Sequence, residues 1–146
     1  FTRIGPEAIS KDFNQIYLSR ILQNRTKNIK NLLLDQKLVS GLGNIYVNEI
    51  LYQAKVNPFK KSHLIDLNEN KRIVKYSKVI LNKAIHFGGS SIRDFKGITG
   101  KSGNFQSEFK VYDRAGKKCT RNNCSGLIKR KIISNRSAFM CTVCQK

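Results

Sequence analysis

The chain has 146 residues, 40% of them hydrophobic, which is enough for one real core and one small satellite but short for a complete two-domain enzyme. Its 28 Lys and Arg residues stand against 9 Asp and Glu, a net charge of +19 with pI near 10.2. That excess points to a polyanion, nucleic acid before membrane, because no run of about eighteen apolar residues and no lipidation motif appears.

Taken in chain order, residues 1–9, which include Pro6, read as a linker. Helical periodicity then dominates residues 10–89. The spacing predicts a first helix capped by Ser10, with Phe13, Ile16, Tyr17 and Ile21 on one buried stripe. A second helix, with Thr26 as its cap, carries Ile29, Leu32 and Leu33. Gly41-Leu-Gly43-Asn44 then opens a third, running through Ile45, Val47, Ile50, Leu51 and Ala54 and stopping before Asn57-Pro58. A fourth starts at Asn68 and uses Ile73, Val74, Ser77, Ile80, Leu81, Ala84 and Ile85 before Gly88-Gly89 ends it.

Between Gly88 and Gln106 lie five glycines among serines and polar residues. A stretch this long without periodicity is either a functional loop or a linker between helical core and finger, and both readings stand on sequence. Beyond it, Phe109, Val111 and Tyr112 predict an extended segment leading into the Asp113–Gly116 turn. Residues 126–133 and 136–141 predict a hairpin turning at Ser134-Asn135.

The four cysteines all fall in this last segment, as Cys119-x4-Cys124 and Cys141-x2-Cys144 with sixteen residues between the pairs. Two close pairs at that interval place four thiolates around one Zn²⁺, a structural site with no position left for water. Two disulfides are the competing reading. They require an oxidising compartment, and no signal-peptide pattern is seen. From Arg114 to Lys146 there are nine basic residues and no acid, so the finger repels itself unless a polyanion is bound.

The Gly41-Leu-Gly43-Asn44 turn has a possible use beyond punctuation. Glycines before a helix let the backbone approach a phosphate, and the first-turn N–H groups and the helix dipole favour an anion. A tight turn with no ligand is the competing reading. Arg25, Lys27 and Lys30 nearby favour the phosphate.

Together, Gly41-Leu-Gly-Asn-Ile-Tyr-Val-Asn-Glu49, Gly88-Gly-Ser-Ser-Ile-Arg-Asp-Phe95, Val111-Tyr112, and Arg136 five residues before Cys141-x2-Cys144-Gln145 closely resemble formamidopyrimidine-DNA glycosylase. The resemblance covers essentially the whole chain. It implies a mainly α fold with a small β part: a linker (1–9), a helix-two-turn-helix DNA-binding domain (10–89), a lesion-covering loop (90–107) and a four-cysteine zinc finger (108–146). It also implies one structural zinc on Cys119, Cys124, Cys141 and Cys144, and a monomer acting in the bacterial cytoplasm, on the nucleoid. The implied partner is double-stranded DNA carrying a damaged base or abasic site.

Asn44 is then expected to hold a phosphate beside the lesion, and Arg136 to grip the backbone and donate the proton of δ-elimination. Lys27 matches a phosphate-contacting position, with a solvated helix-end lysine as its competing reading. Ser90, Ser91, Ile92, Arg93 and Thr99 are candidates for covering a flipped oxidised purine. An endonuclease VIII-type fragment shares both modules, and a noncatalytic zinc ribbon would explain the charge and cysteines but not the Gly41–Tyr46 motif.

Two departures accompany the resemblance: a four-residue spacing in the first cysteine pair where two is usual, and Ala138-Phe139-Met140 in place of a threonine-aromatic-aromatic stretch. The family's nucleophile is a free N-terminal proline beside a glutamate. Pro6-Glu7 imitates that pair, but the Pro6 nitrogen is locked in an amide, so the chain alone is expected to bind DNA without cutting it.

Overall fold

The computed structural model describes residues 4–87 and 108–146. Helices α1 (Gln15–Leu22), α2 (Ile29–Leu34), α3 (Asn44–Gln53) and α4 (Leu67–His86) are followed by an antiparallel hairpin, β1 (Ile128–Ile133) and β2 (Arg136–Cys141). A short 3₁₀ turn, Ser62–Leu64, precedes α4. This is the mainly α architecture with a small β finger that the sequence predicts. Residues 90–107, with Ser90, Ser91, Ile92, Arg93 and Thr99, lie outside the described residues.

Three helix starts differ from the expectation, each for a local reason. Asn14, not Ser10, caps α1, its side chain accepting from the Tyr17 N–H. Ser10 instead bonds back to the Glu7 carbonyl and closes a turn before the helix. The stripe therefore changes phase: Leu18, Ile21 and Leu22 are buried, whereas Ile16, two residues from Leu18 and so on the opposite face, is 76% exposed. In α2 the cap is Asn28, one residue before the first buried position, rather than Thr26. Helix α4 is capped by Asp66, because Asp66 and Glu69 satisfy each other's backbone N–H in a capping box that Asn68 cannot form. Its buried stripe is Ile73, Ser77, Leu81 and Ala84, and Ile85, expected in the core, is 53% exposed at the rim of a groove beside Ala8, Ile9 and Leu81.

The segment before α1 is fixed rather than loose. Lys78 on α4 donates to the carbonyls of Ala8 and Phe13 at 2.7 Å each and also to that of Ser10. Gly5 passes so close to Leu38 that an added Cβ would lie 2.4 Å from its carbonyl carbon.

Helix α3 is the centre of the molecule. Every residue from Ile45 to Tyr52 is buried, the pattern of a helix packed all round. Its upper residues join the helical core with Phe13, Leu18, Leu32, Leu33 and Ile73. Tyr52, at its end, belongs to the finger's core with Val111, Cys119, Ile128, Phe139 and Cys141. Tyr112 packs against both cores, its ring edge-on to Phe109 at 6.0 Å and to Phe139 at 5.2 Å.

One polar side chain on this apolar helix fastens the chain that follows. The Glu49 carboxylate accepts from the backbone N–H groups of Lys110 (2.7 Å), Val111 (3.0 Å) and Tyr112 (2.8 Å). Burial raises its pKa above the usual carboxylate value, and those three donors offset only part of the rise. Glu49→Ala strands all three N–H groups, and at about 1–3 kcal/mol for a buried unsatisfied donor we expect a loss of roughly 3–5 kcal/mol, read as a lower urea midpoint. A midpoint within experimental error of the wild type would remove this carboxylate from the fold's supports.

Candidate nucleic-acid interface and metal centre

The α2–α3 connection delivers the first half of the site. Gly41 has φ +90°, the left-handed region that glycine enters freely, and Gly43 caps α3 with no side-chain bond. Gly43 thus offers no side-chain acceptor to the first-turn N–H groups of α3, at the positive end of the helix dipole. Beside them, Lys30 on α2 is wholly buried and donates to Asn44 Oδ1 at 2.5 Å. No carboxylate pairs with it among the described residues. Burial, and to a lesser degree the charge of Arg136, lowers its pKa from 10.5 to about 8.

The finger supplies the second half. The β1–β2 register pairs Ile133 with Arg136 across a two-residue turn in which Ser134 (φ +50°) and Asn135 (φ +66°) are both left-handed. This turn is the one expected. It rests on α2 through a bond from Asn31 Nδ2 to Ser134 Oγ, 2.9 Å. Asn44 Nδ2 donates to the Ser137 carbonyl at 3.1 Å, so one asparagine joins the buried lysine to the strand that begins with exposed Arg136. Asn44, Lys30 and Arg136 are therefore brought together. Lys27 is not joined to them: it pairs with Asp35 at 3.1 Å, and that bond lowers the Asp35 pKa.

The four cysteine sulfurs all lie within 4.8 Å of one another. Cys119 and Cys144 are 3.9 Å apart and Cys124 and Cys141 3.7 Å, too far for disulfides and close to the roughly 3.8 Å edge of a tetrahedron with metal–sulfur bonds of about 2.3 Å. The longer first knuckle does not prevent this convergence. Burial raises the Cys119 pKa, yet bonds from Tyr52, the Arg121 N–H, Cys124 and Cys141 outweigh it and bring it to about 7. Burial and then Cys141 push Cys144 up to about 12. One thiolate thus opposes its neighbours' ionisation, a conflict that a divalent cation removes. Gly126 gives the sulfurs room, since a Cβ there would lie 2.5 Å from Cys141 Sγ. The donor set and its spacing fit a metal ion.

Residues 4–96 match the family described as the formamidopyrimidine-DNA glycosylase H2TH domain. The chain belongs to this family. It is 44% identical over 143 residues to the formamidopyrimidine-DNA glycosylase of Prochlorococcus marinus strain MIT 9215, covering 98% of this chain and 48% of that protein. The Roseobacter denitrificans enzyme is also 44% identical, with 98% and 50% covered. Among solved structures, Lactococcus lactis Fpg in complex with DNA containing an abasic site superposes with a TM-score of 0.86 at 39% identity, covering 98% of this chain and 52% of that one. The chain spans about half the length of the curated relatives it matches. Among the described residues no helix is long and apolar enough to cross a membrane.

Sequence reasoning named Lys30 only as a nearby charge, and it passed over Asn48, Tyr52 and Arg121. The signal lay in position. Lys30 interrupts the apolar run Ile29–Leu34, and Asn48 interrupts the apolar face of α3, where a polar residue is kept only if it has partners.

Lys30 makes a pH-dependent contribution. Folded, it gives up its proton near pH 8, whereas the unfolded chain holds it to about 10.5. Between those values the unfolded state carries the extra proton, so stability rises with pH; below about 8 both states are charged and the burial penalty is present in full. We expect urea midpoints of wild type to rise across pH 8–10.5 relative to Lys30→Met, which lacks the group. Parallel curves would show that Lys30 does not titrate in this window.

Proposed function

We propose that the chain forms the DNA-binding part of a base-excision-repair enzyme that removes oxidised purines such as 8-oxoguanine and nicks abasic sites by β,δ-elimination. The observation that carries this reading is the junction of buried Lys30, Asn44 and the uncapped start of α3 with the Arg136 end of the finger hairpin. A buried lysine that pairs with no carboxylate among the described residues, bonded to Asn44 at the start of α3, is arranged for an anion. A phosphate beside the lesion meets that requirement.

In this reading the α3 start and Asn44 take the phosphate, with Lys30 holding Asn44 in place. Arg136 grips the adjacent backbone, keeps the damaged nucleotide extruded and, in the whole enzyme, serves as proton donor for δ-elimination. Lys27 adds a flanking contact once DNA draws it from Asp35. Residues 90–107, with Ser90, Ser91, Ile92, Arg93 and Thr99, cover the extruded base. Residues 1–9 are a linker, 10–89 the helix-two-turn-helix domain and 108–146 the finger. Zinc is the metal we assign to Cys119, Cys124, Cys141 and Cys144, because four thiolates suit a soft tetrahedral ion. It supplies structure, and the residues around it do the binding.

We assign none of the 146 residues as the nucleophile of the glycosylase step. Pro6 has an amide nitrogen, and the Arg136 guanidinium stays protonated, a donor or anchor only. Alone, the chain therefore binds duplex DNA as a monomer and leaves it intact.

Fluorescence anisotropy against duplexes carrying an abasic-site analogue tests the interface. Arg136→Ala is expected to weaken binding and lower the slope of log K against log salt by about one, whereas Asn44→Ala weakens binding with the slope nearly unchanged. Incubation with an 8-oxoguanine duplex is expected to give no borohydride-trapped adduct and no strand cleavage. Equal salt slopes for wild type and Arg136→Ala would remove the arginine from the phosphate contacts, and excision by the chain alone would overturn the division of roles.

A further inference from the structure

Arg121 lies between the first two cysteines, in the knuckle whose four-residue spacing departs from the usual two. Its guanidinium makes three bonds. One nitrogen donates to Cys144 Sγ at 2.8 Å, and another donates to the carbonyls of Tyr52 at 2.7 Å and Gln53 at 3.2 Å, at the end of α3. The guanidinium carbon also sits 4.3 Å from the centre of the Tyr52 ring. Tyr52 is itself buried, with its hydroxyl 3.0 Å from Cys119 Sγ. Two of the four sulfurs are thus approached by groups that reach back to the helix opening with Asn44.

We propose that Arg121 and Tyr52 form an outer shell that holds the metal in the finger and ties its retention to the C-terminal end of α3; this rests on the metal reading above. Four thiolates around a divalent ion carry a net charge of −2, in a site where two of the cysteines, Cys119 and Cys141, are buried. Hydrogen bonds from a fixed cation and a phenol spread that charge and hold the two sulfurs in place, which slows loss of the metal to a chelator. Arginine suits both tasks. Its planar fork reaches a sulfur and two carbonyls at once, and its charge opposes the negative end of the α3 dipole. Lysine offers a point charge and cannot span both.

The test uses the full 146-residue chain loaded with Zn²⁺ and challenged with excess metallochromic chelator. Wild type is expected to release its zinc slowly. Release from Arg121→Ala should be about 10–100 times faster, the range typical of lost outer-shell partners, with Tyr52→Phe and Arg121→Lys between the two. With Co²⁺ in place of zinc, the sulfur-to-metal charge-transfer bands should shift in Arg121→Ala and Tyr52→Phe. A contact that merely capped the helix would leave those bands unmoved. Should Arg121→Ala fail to fold its finger, Tyr52→Phe and Arg121→Lys carry the same two readouts. Release within twofold of wild type together with unchanged bands overturns the proposal. A wild type that takes up no metal removes the metal centre itself, and this proposal with it.

Discussion

The side-chain amide of Asn48, fully buried on α3, makes three bonds. Its oxygen accepts from the Phe139 N–H at 2.8 Å, and its nitrogen donates to the carbonyls of Ser137 (3.2 Å) and Asn44 (2.9 Å). A helix has no free backbone groups along its flank with which to pair a strand, so this one amide stands in for a strand neighbour and fixes β2 against α3. Much else inherits that register. Arg136 and Ser137 are placed beside Asn44 and Lys30 because Phe139 is held at Asn48, and Phe139 in turn stacks edge-on with Tyr112. Below, Gln145 repeats the device, accepting from the Cys141 N–H at 2.8 Å and donating to the Val56 carbonyl at 3.0 Å.

The charge distribution follows from how the few acids are used. Glu49 is occupied with backbone N–H groups, Asp66 and Glu69 with the α4 cap, Asp35 with Lys27 and the Lys37 N–H, and Glu108 with Lys83. Glu69 also receives Lys60 at 2.8 Å. The acids thus serve mainly as local ties, and three are in ion pairs among the described residues. The finger from Arg114 onward has no acid at all, so none of its cations has a carboxylate partner within the finger. Such a surface gains when a polyanion replaces its counterions, which is the driving force of DNA association.

What the sequence made legible were the features with strong local rules. The Gly41–Asn44 break, the Ser134-Asn135 turn and the cysteine spacing each admit few structures, and all three stand as expected. Helix caps were harder to read. Ser10, Asn14, Thr26, Asn28, Asp66 and Asn68 are all acceptable cap residues, and the choice among them depends on which side chain the tertiary contacts leave free: Ser10 is taken by Glu7, whereas Asp66 has Glu69 three residues on. Contacts distant in sequence were not legible. No local pattern pairs Lys30 with Asn44 or Arg121 with the end of α3, because the first pair exists only once α2 packs on α3 and the second only once the finger has docked.

The docking also bears on why the finger carries a four-cysteine cluster. Its hairpin exposes four of the six residues of β1, and an isolated two-stranded hairpin is marginal in water. The apolar cluster beneath it is small and takes Tyr52 from α3 as one of its members. Apolar burial within the finger is therefore insufficient to hold Arg136 against the repulsion of its own neighbours Lys129, Arg130 and Lys131. Two other sources are available: the four-cysteine cluster, whose donor set fits a metal ion, at one end of the strands, and the Asn44, Asn48 and Asn31 bonds towards the other. The hairpin is thus anchored at its base and along its length while its tip stays basic. A cation can be kept there because the groups that hold it are remote from the charge it presents.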